Sequence, residues 1–276
     1  MEENRKQHRG RKNRKRNVAS NVILMIAVVV FVFSAYKLIG IYSEYHKGDK
    51  EYDSIAEDAI EIQSPESEES DKDEEQQKPK VHNTLKVNFD KLRKTNEDVV
   101  AWIHFDEPER ISYPVVKGTD NDKYLTTTFE GKKNSSGSIF MDVGNQGDFS
   151  DYNTFIYGHN MKNGSMFGQL RKFKAKEYYK ENPYFYIYTP DGKEVKYQIF
   201  AVCIVEDTSR SYERFYNSDE EYLDYLNYVK SIARYDTGVE LTAESRIVSL
   251  STCTNVTETQ RLLVHGVKIS ETVVGE

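Results

Sequence analysis

The chain is poor in cysteine. Its 276 residues hold two, Cys203 and Cys253, enough for at most one disulfide and no disulfide-built scaffold. It has one tryptophan and six prolines, and no internal repeat. The six histidines are scattered, and with two distant cysteines they show none of the close ligand spacing of a metal site. No metal and no cofactor are expected. Cys203 sits in the apolar run Gln198–Val205, which reads as a core strand, so a buried free thiol is expected there rather than a bridge to Cys253.

One long hydrophobic run is present. Residues 22–36 carry no charge and, after Lys37, the apolar character resumes to Tyr42, giving about twenty residues, one helical span of a bilayer. Eight basic residues between Arg5 and Arg16 precede it, against Glu2 and Glu3 alone. That bias predicts a cytoplasmic tail (1–20), a membrane-spanning anchor (21–42) and an exterior remainder. The run exceeds a signal-peptide core, and no A-x-A cleavage pattern follows it. Beside an apolar span, the basic tail points to anionic lipid heads and topology, not to nucleic acid.

Asp53 to Glu75 contains eleven acidic residues and one lysine, with almost no aromatics, and reads as an extended, self-repelling tether within 43–84. The tail's six net positive charges and this segment's ten net negative ones leave −3 of the total −7 for the rest. Global charge therefore says nothing about the ligand of the remaining domain, 85–276.

That domain is dominated by strand-like runs: Val99–Phe105, Ile111–Val116, Ser138–Met141, Asn153–Tyr157, Tyr184–Thr189, Glu194–Val205, Arg246–Thr252 and Arg261–Ile269. Helices are expected at Asn88–Thr95, at about Ser165–Tyr179, and at Ser218–Arg234, where Ser218-x-x-Glu221 is a capping box and Tyr222, Tyr225, Leu226, Val229, Ile232 and Ala233 repeat at helical spacing. Many short strands with helical insertions imply a mostly β, closed or nearly closed antiparallel barrel.

Three residues have the parts of an acyl-transfer site. Cys253 ends the strand Val248–Thr252, and alternation puts Ile247, Ser249 and Ser251 on its face, leading to an open surface. A hairpin around 254–260 returns Arg261 beside Cys253 and leaves His265 about 13 Å away, in a structural role. His159 follows the strand Asn153–Tyr157; it is either a general acid/base or a loop histidine with a satisfied hydrogen bond. A thiol of ordinary pKa about 8.5 holds little thiolate at neutral pH, so a nearby cation would activate it. A histidine suits protonation of a leaving amine, and a guanidinium suits an oxyanion.

The strings Asn153-Thr-Phe-Ile-Tyr-Gly-His-Asn-Met161, Leu250-Ser-Thr-Cys-Thr254 and Arg261-Leu-Leu-Val-His-Gly266 closely resemble the sortases of Gram-positive bacteria, most nearly class B. The likeness runs from about Leu85 onward. It implies an eight-stranded sortase barrel, Cys253 as nucleophile, His159 as general acid/base and Arg261 as stabiliser of substrate and oxyanion. Asn160, Ser251 and Thr252, flanking the first two, are the candidate substrate contacts. It further implies cleavage of a C-terminal sorting signal after threonine, often Asn-Pro-x-Thr-like, transfer of the surface protein to an amine of a lipid II-type cell-wall precursor, and no need for calcium. Other readings of the trio are a thiol protease resolving the thioester with water, or a non-catalytic surface adhesin with Cys253 buried. An L,D-transpeptidase would carry a His-x-x-x-Ser-x-Gly-Cys string, which is absent.

Overall fold

The computed structural model describes residues 2–63 and 82–274. They fall into two compact units, 1–47 and 48–276. Helix α1 (Glu2–Ala59) contributes to both. In the first unit its residues from Ser20 are long and apolar enough to cross a membrane, and Val22–Tyr42 present their apolar side chains outward.

In the second unit the last turns of α1 are packed, not extended. Tyr52, Ile55 and Ala59 recur at helical spacing and are buried. Strand β1 (Ile60–Gln63) then pairs antiparallel with β2 (Thr84–Val87). The tether expected from Asp53 therefore begins as helix and strand: three apolar side chains on one helical face outweigh the repulsion among charges that point to water. The rest of the acidic run, 64–81, lies outside the described residues. Where the chain resumes, His82 stacks on Tyr186 with ring centroids 3.6 Å apart. Its two nitrogens face Asp106 (2.8 Å) and Glu194 (3.1 Å). Burial opposes its charge, but these carboxylates prevail and lift its pKa to about 9.

Helix α2 (Phe89–Thr95) buries Phe89 and Leu92 and is capped by Asn88, which accepts from the Lys91 amide at 2.9 Å. Strands β3 (Val99–His104), β4 (Ser112–Val116), β5 (Ile139–Met141) and β6 (Asn153–Tyr157) follow. After β6 the expected helix at Ser165–Tyr179 is instead a 3-10 segment, Gly168–Lys174, and a short α3 (Lys176–Glu181). Strands β7 (Tyr184–Thr189) and β8 (Lys193–Glu206) form the hairpin expected at Asp191-Gly192.

Helix α4 (Asp219–Ser231) starts as its capping box predicts, Ser218 Oγ accepting from the Glu221 amide at 3.2 Å. The Glu221 carboxylate reaches one residue further back, to the Asn217 amide. The helix ends before Ile232, which is exposed. Strands β9 (Ile247–Cys253) and β10 (Gln260–Val273) complete the unit.

The eight strands β3 to β10 close into a barrel in the order β10-β8-β7-β3-β4-β5-β6-β9. The barrel is mixed, not antiparallel throughout: β4 pairs parallel with β5, and β6 parallel with β9. Crossovers through the long connections make this possible, and no run of strand residues announces it. Helix α4 packs Tyr222, Tyr225, Leu226 and Val229 against Phe200, Cys203, Ile247 and Leu263. The β9 face of Ile247, Ser249 and Ser251 is consequently covered, and only Cys253 at its end is partly exposed.

Candidate active site

The parallel β6–β9 pair aligns Tyr157 with Ser251, and the Gly158 amide donates to the Ser251 carbonyl at 3.1 Å. Two steps beyond Ser251 is Cys253; two beyond Tyr157 is His159. Adjacent strands lie about 4.8 Å apart, so this register brings the two residues to the same end of neighbouring strands. From the other side, antiparallel β10 sets Arg261 opposite Cys253 and His265 opposite Ser249. His159, Cys253 and Arg261 line one cavity of about 220 Å³, with Asn121, Leu125, Phe140, Tyr157, Ser251 and Thr252 also on its walls.

His159 is half-buried, and its Nε2 donates to the Leu125 carbonyl at 2.7 Å. A carbonyl only accepts, so Nε2 carries a proton, and in the neutral form of the ring this leaves Nδ1 as the acceptor. Gly158 makes this approach possible, since a Cβ there would meet Ile139 Cδ1 at 2.4 Å and the Phe167 ring at 2.8 Å.

Arg261 is held on three sides. Nη1 donates to the carbonyls of Glu258 (2.6 Å) and Gln260 (3.3 Å), and Nη2 to Asp207 Oδ2 (3.1 Å). A guanidinium has five N–H bonds, so two remain for a ligand. Tyr212, within electrostatic reach of Arg261, Cys253 and Asp207, shares a 2.8 Å hydrogen bond with Ser251 Oγ. Burial pushes its phenol up to about 12, so it stays protonated.

Of the candidate substrate contacts, Ser251 and Thr252 line the cavity. The buried Thr252 hydroxyl has no hydrogen-bond partner among the described residues. Asn160 takes a different place: its amide nitrogen donates to the Cys253 carbonyl at 2.8 Å, tying the two loops together. His265 is fully buried, its Nδ1 2.7 Å from Ser249 Oγ. Burial lowers its pKa to about 3, so it is neutral and structural. Both cysteines are free, and burial pushes the Cys203 thiol up to about 12.

Leu125, Asn121, Asp207 and Tyr212 were not legible as site residues, because no motif links them to Cys253 or His159. Beneath the cavity wall, the buried Asp142 accepts from Tyr157 (2.8 Å) and Asn121 (3.1 Å) and pairs with Arg214. A larger concavity of about 670 Å³ lies near Arg246, at the far end of β9, roughly 20 Å along that strand from Cys253. Lys193 and Lys268 on its walls are already paired with Glu271. Size alone does not make it the reactive site.

A mixed eight-stranded barrel with a half-buried thiol at one mouth is the architecture of a sortase domain, and the family model of that name matches residues 107–269. The chain belongs to the sortase family, and within it to class B. It is 31% identical to Sortase B of Listeria monocytogenes over 84% of this chain and 88% of that protein. The crystal structure of sortase B from B. anthracis in complex with AAEK1 superposes with a TM-score of 0.67 at 31% identity, covering 83% of this chain and all of that one. A Staphylococcus aureus sortase B–substrate complex gives 0.62 at 29%, covering 66% and 85%. The protein is thus a cysteine transpeptidase of the cell surface.

Proposed function

We propose that this sortase is anchored by its N-terminal helix with the barrel outside the cell, cleaves a sorting signal after threonine, and passes the acyl group to an amine of a lipid II-type cell-wall precursor. The observation that carries the reading is the meeting of His159, Cys253 and Arg261 on one cavity, with Arg261 in register with Cys253. The basic tail before the apolar helix supports the orientation.

In this reading the Cys253 thiol passes its proton to His159, the thiolate attacks the threonine carbonyl carbon, and the developing oxyanion is met by the two N–H bonds of Arg261 not engaged by Glu258, Gln260 or Asp207. The carbon–nitrogen bond then breaks as protonated His159 gives its proton to the departing amine, leaving a thioester. The acceptor amine attacks that thioester, the carbon–sulfur bond breaks, and His159 takes the surplus proton. Asn160 holds the Cys253 backbone in place through its amide nitrogen.

The test is to incubate the full chain with a library of threonine-containing pentapeptides, Asn-Pro-x-Thr types included, with and without an amine acceptor, and to read the products by mass spectrometry. Cleavage after threonine with amine-dependent ligation is expected. Hydrolysis unaffected by the amine would favour a thiol protease, and no cleavage an adhesin.

A further inference from the structure

The turns of α1 that pack on the barrel, from Gly48 onward, reach the two loops that flank His159. Tyr52 is 4% exposed, so its hydroxyl is placed for protein partners. It donates to the Gly137 carbonyl at 2.7 Å, lies 3.1 Å from Ser138 Oγ and accepts from the Phe129 amide at 3.2 Å. All three partners belong to the β4–β5 connection, which also supplies Leu125. That connection is cinched where the Ser138 amide donates to the Tyr124 carbonyl, 2.9 Å. Gly137 has φ +55°, and a Cβ on it would stand 2.7 Å from the Leu125 carbonyl oxygen. This is the oxygen that accepts from His159 Nε2. From Tyr52 through Gly137 and Leu125 to the imidazole, each member touches the next.

A second arm reaches the loop that bears His159. Asp49 accepts from Asn163 Nδ2 at 3.0 Å and pairs with Arg110 at 2.7 Å. The Tyr52 ring packs edge-on against Tyr113, centroids 5.4 Å apart, and Tyr113 accepts from the Met166 amide at 3.1 Å. Met166 in turn forms a bridge with Asn160, the neighbour of His159. Glu51 completes the clamp by accepting from the Glu130 amide at 3.1 Å.

We propose that the turn of α1 following the apolar stretch is a positioning element for His159, with Tyr52 as its principal positioning residue, because it fixes the carbonyl that selects the ring's tautomer and direction. The inference rests on His159 being the general acid/base. It makes the segment joining anchor to barrel part of the active-site framework, beyond its service as a connection.

The test uses the full chain in detergent micelles. Tyr52→Phe keeps the ring and removes the hydroxyl with its bonds to Gly137 and Phe129, of which the Gly137 bond lies on the path to Leu125. It is expected to lower kcat about 5- to 10-fold while KM stays within about twofold. In ¹⁵N-histidine spectra, with the His159 signal assigned by its loss in His159→Ala, the ring should pass from a single Nε2–H tautomer to a mixture. Asp49→Ala, at a partly exposed position that does not threaten folding, should show a smaller change of the same kind. Val229→Ala, in the α4 packing, serves as the stability control: a lower thermal midpoint with kcat and tautomer unchanged. Unaltered kcat and tautomer in Tyr52→Phe, or a loss no different in kind from that of Val229→Ala, would overturn the proposal. Activity retained by His159→Ala would instead overturn the acid/base assignment, whatever Tyr52→Phe does.

Discussion

Replacing Arg261 with lysine tests whether the shape of the guanidinium matters beyond its charge. Both Nη1 hydrogens are spent on the Glu258 and Gln260 carbonyls and one Nη2 hydrogen on Asp207, which leaves Nε–H and one Nη2–H for an oxyanion. A lysine ammonium carries three hydrogens on a single nitrogen. Two loop carbonyls, the Asp207 carboxylate and an oxyanion would compete for them, and no planar fork would remain. Loss of one oxyanion donor in comparable enzymes costs about 2.7–4 kcal/mol, so kcat/KM should fall roughly 10²- to 10³-fold. Stability should hardly move. The Arg261–Asp207 pair is 23% and 38% exposed, and ion pairs of that kind contribute about 0–1 kcal/mol. The assay is transfer of a quenched fluorescent sorting peptide to an amine, run beside alkylation of Cys253 by iodoacetamide, a reaction with no oxyanion to stabilise. Transfer should collapse while alkylation persists. Activity within about threefold of the parent would refute the reasoning, and a parallel loss of alkylation would show that the arginine serves the thiolate rather than the oxyanion.

Cys253→Ala should abolish transfer and leave circular dichroism and the thermal midpoint intact, since the residue ends its strand half-exposed and its carbonyl still accepts from Asn160. His265 is held near pKa 3 in the folded state against 6.5 unfolded, so the unfolded chain binds the extra proton. Stability should therefore fall as pH drops from about 6.5 towards 3, by about 1.4 kcal/mol per pH unit; denaturant midpoints across that range should flatten in His265→Asn. His82 has the opposite sign: its folded pKa is raised to about 9, so its contribution is complete below pH 6.5 and lost as pH climbs to 9. That contribution is of order 1–3 kcal/mol, and a His82→Ala variant with the same alkaline loss as the parent would contradict it.

The strands were legible because their periodicity is local. Val248–Thr252 and Arg261–Ile269 alternate over a few residues, and a hairpin between them needs only the short turn 254–260, so the pairing of Arg261 with Cys253 followed from counting. The helix caps at Asn88 and Ser218 were readable for the same reason: each cap spans three residues. The buried, neutral state of His265 was anticipated only as a role, since burial itself depends on α4 covering the sheet.

The sequence by itself determined the apolar helix, the strand set and the family, and it named the candidate site residues, all properties carried by spacing within short windows or by matched strings. The barrel's closure decided the rest. Only the parallel β6–β9 pairing brings His159 level with Cys253 across ninety-four positions, and only the β4–β5 excursion delivers a carbonyl to its ring. The charge of the acidic segment hid Ile55 and Ala59, which share a helical face with Tyr52 just before it and whose burial appears only when there is a barrel to pack against. Contacts of that range have no signature along the chain, because what selects them is the surface each element meets after folding.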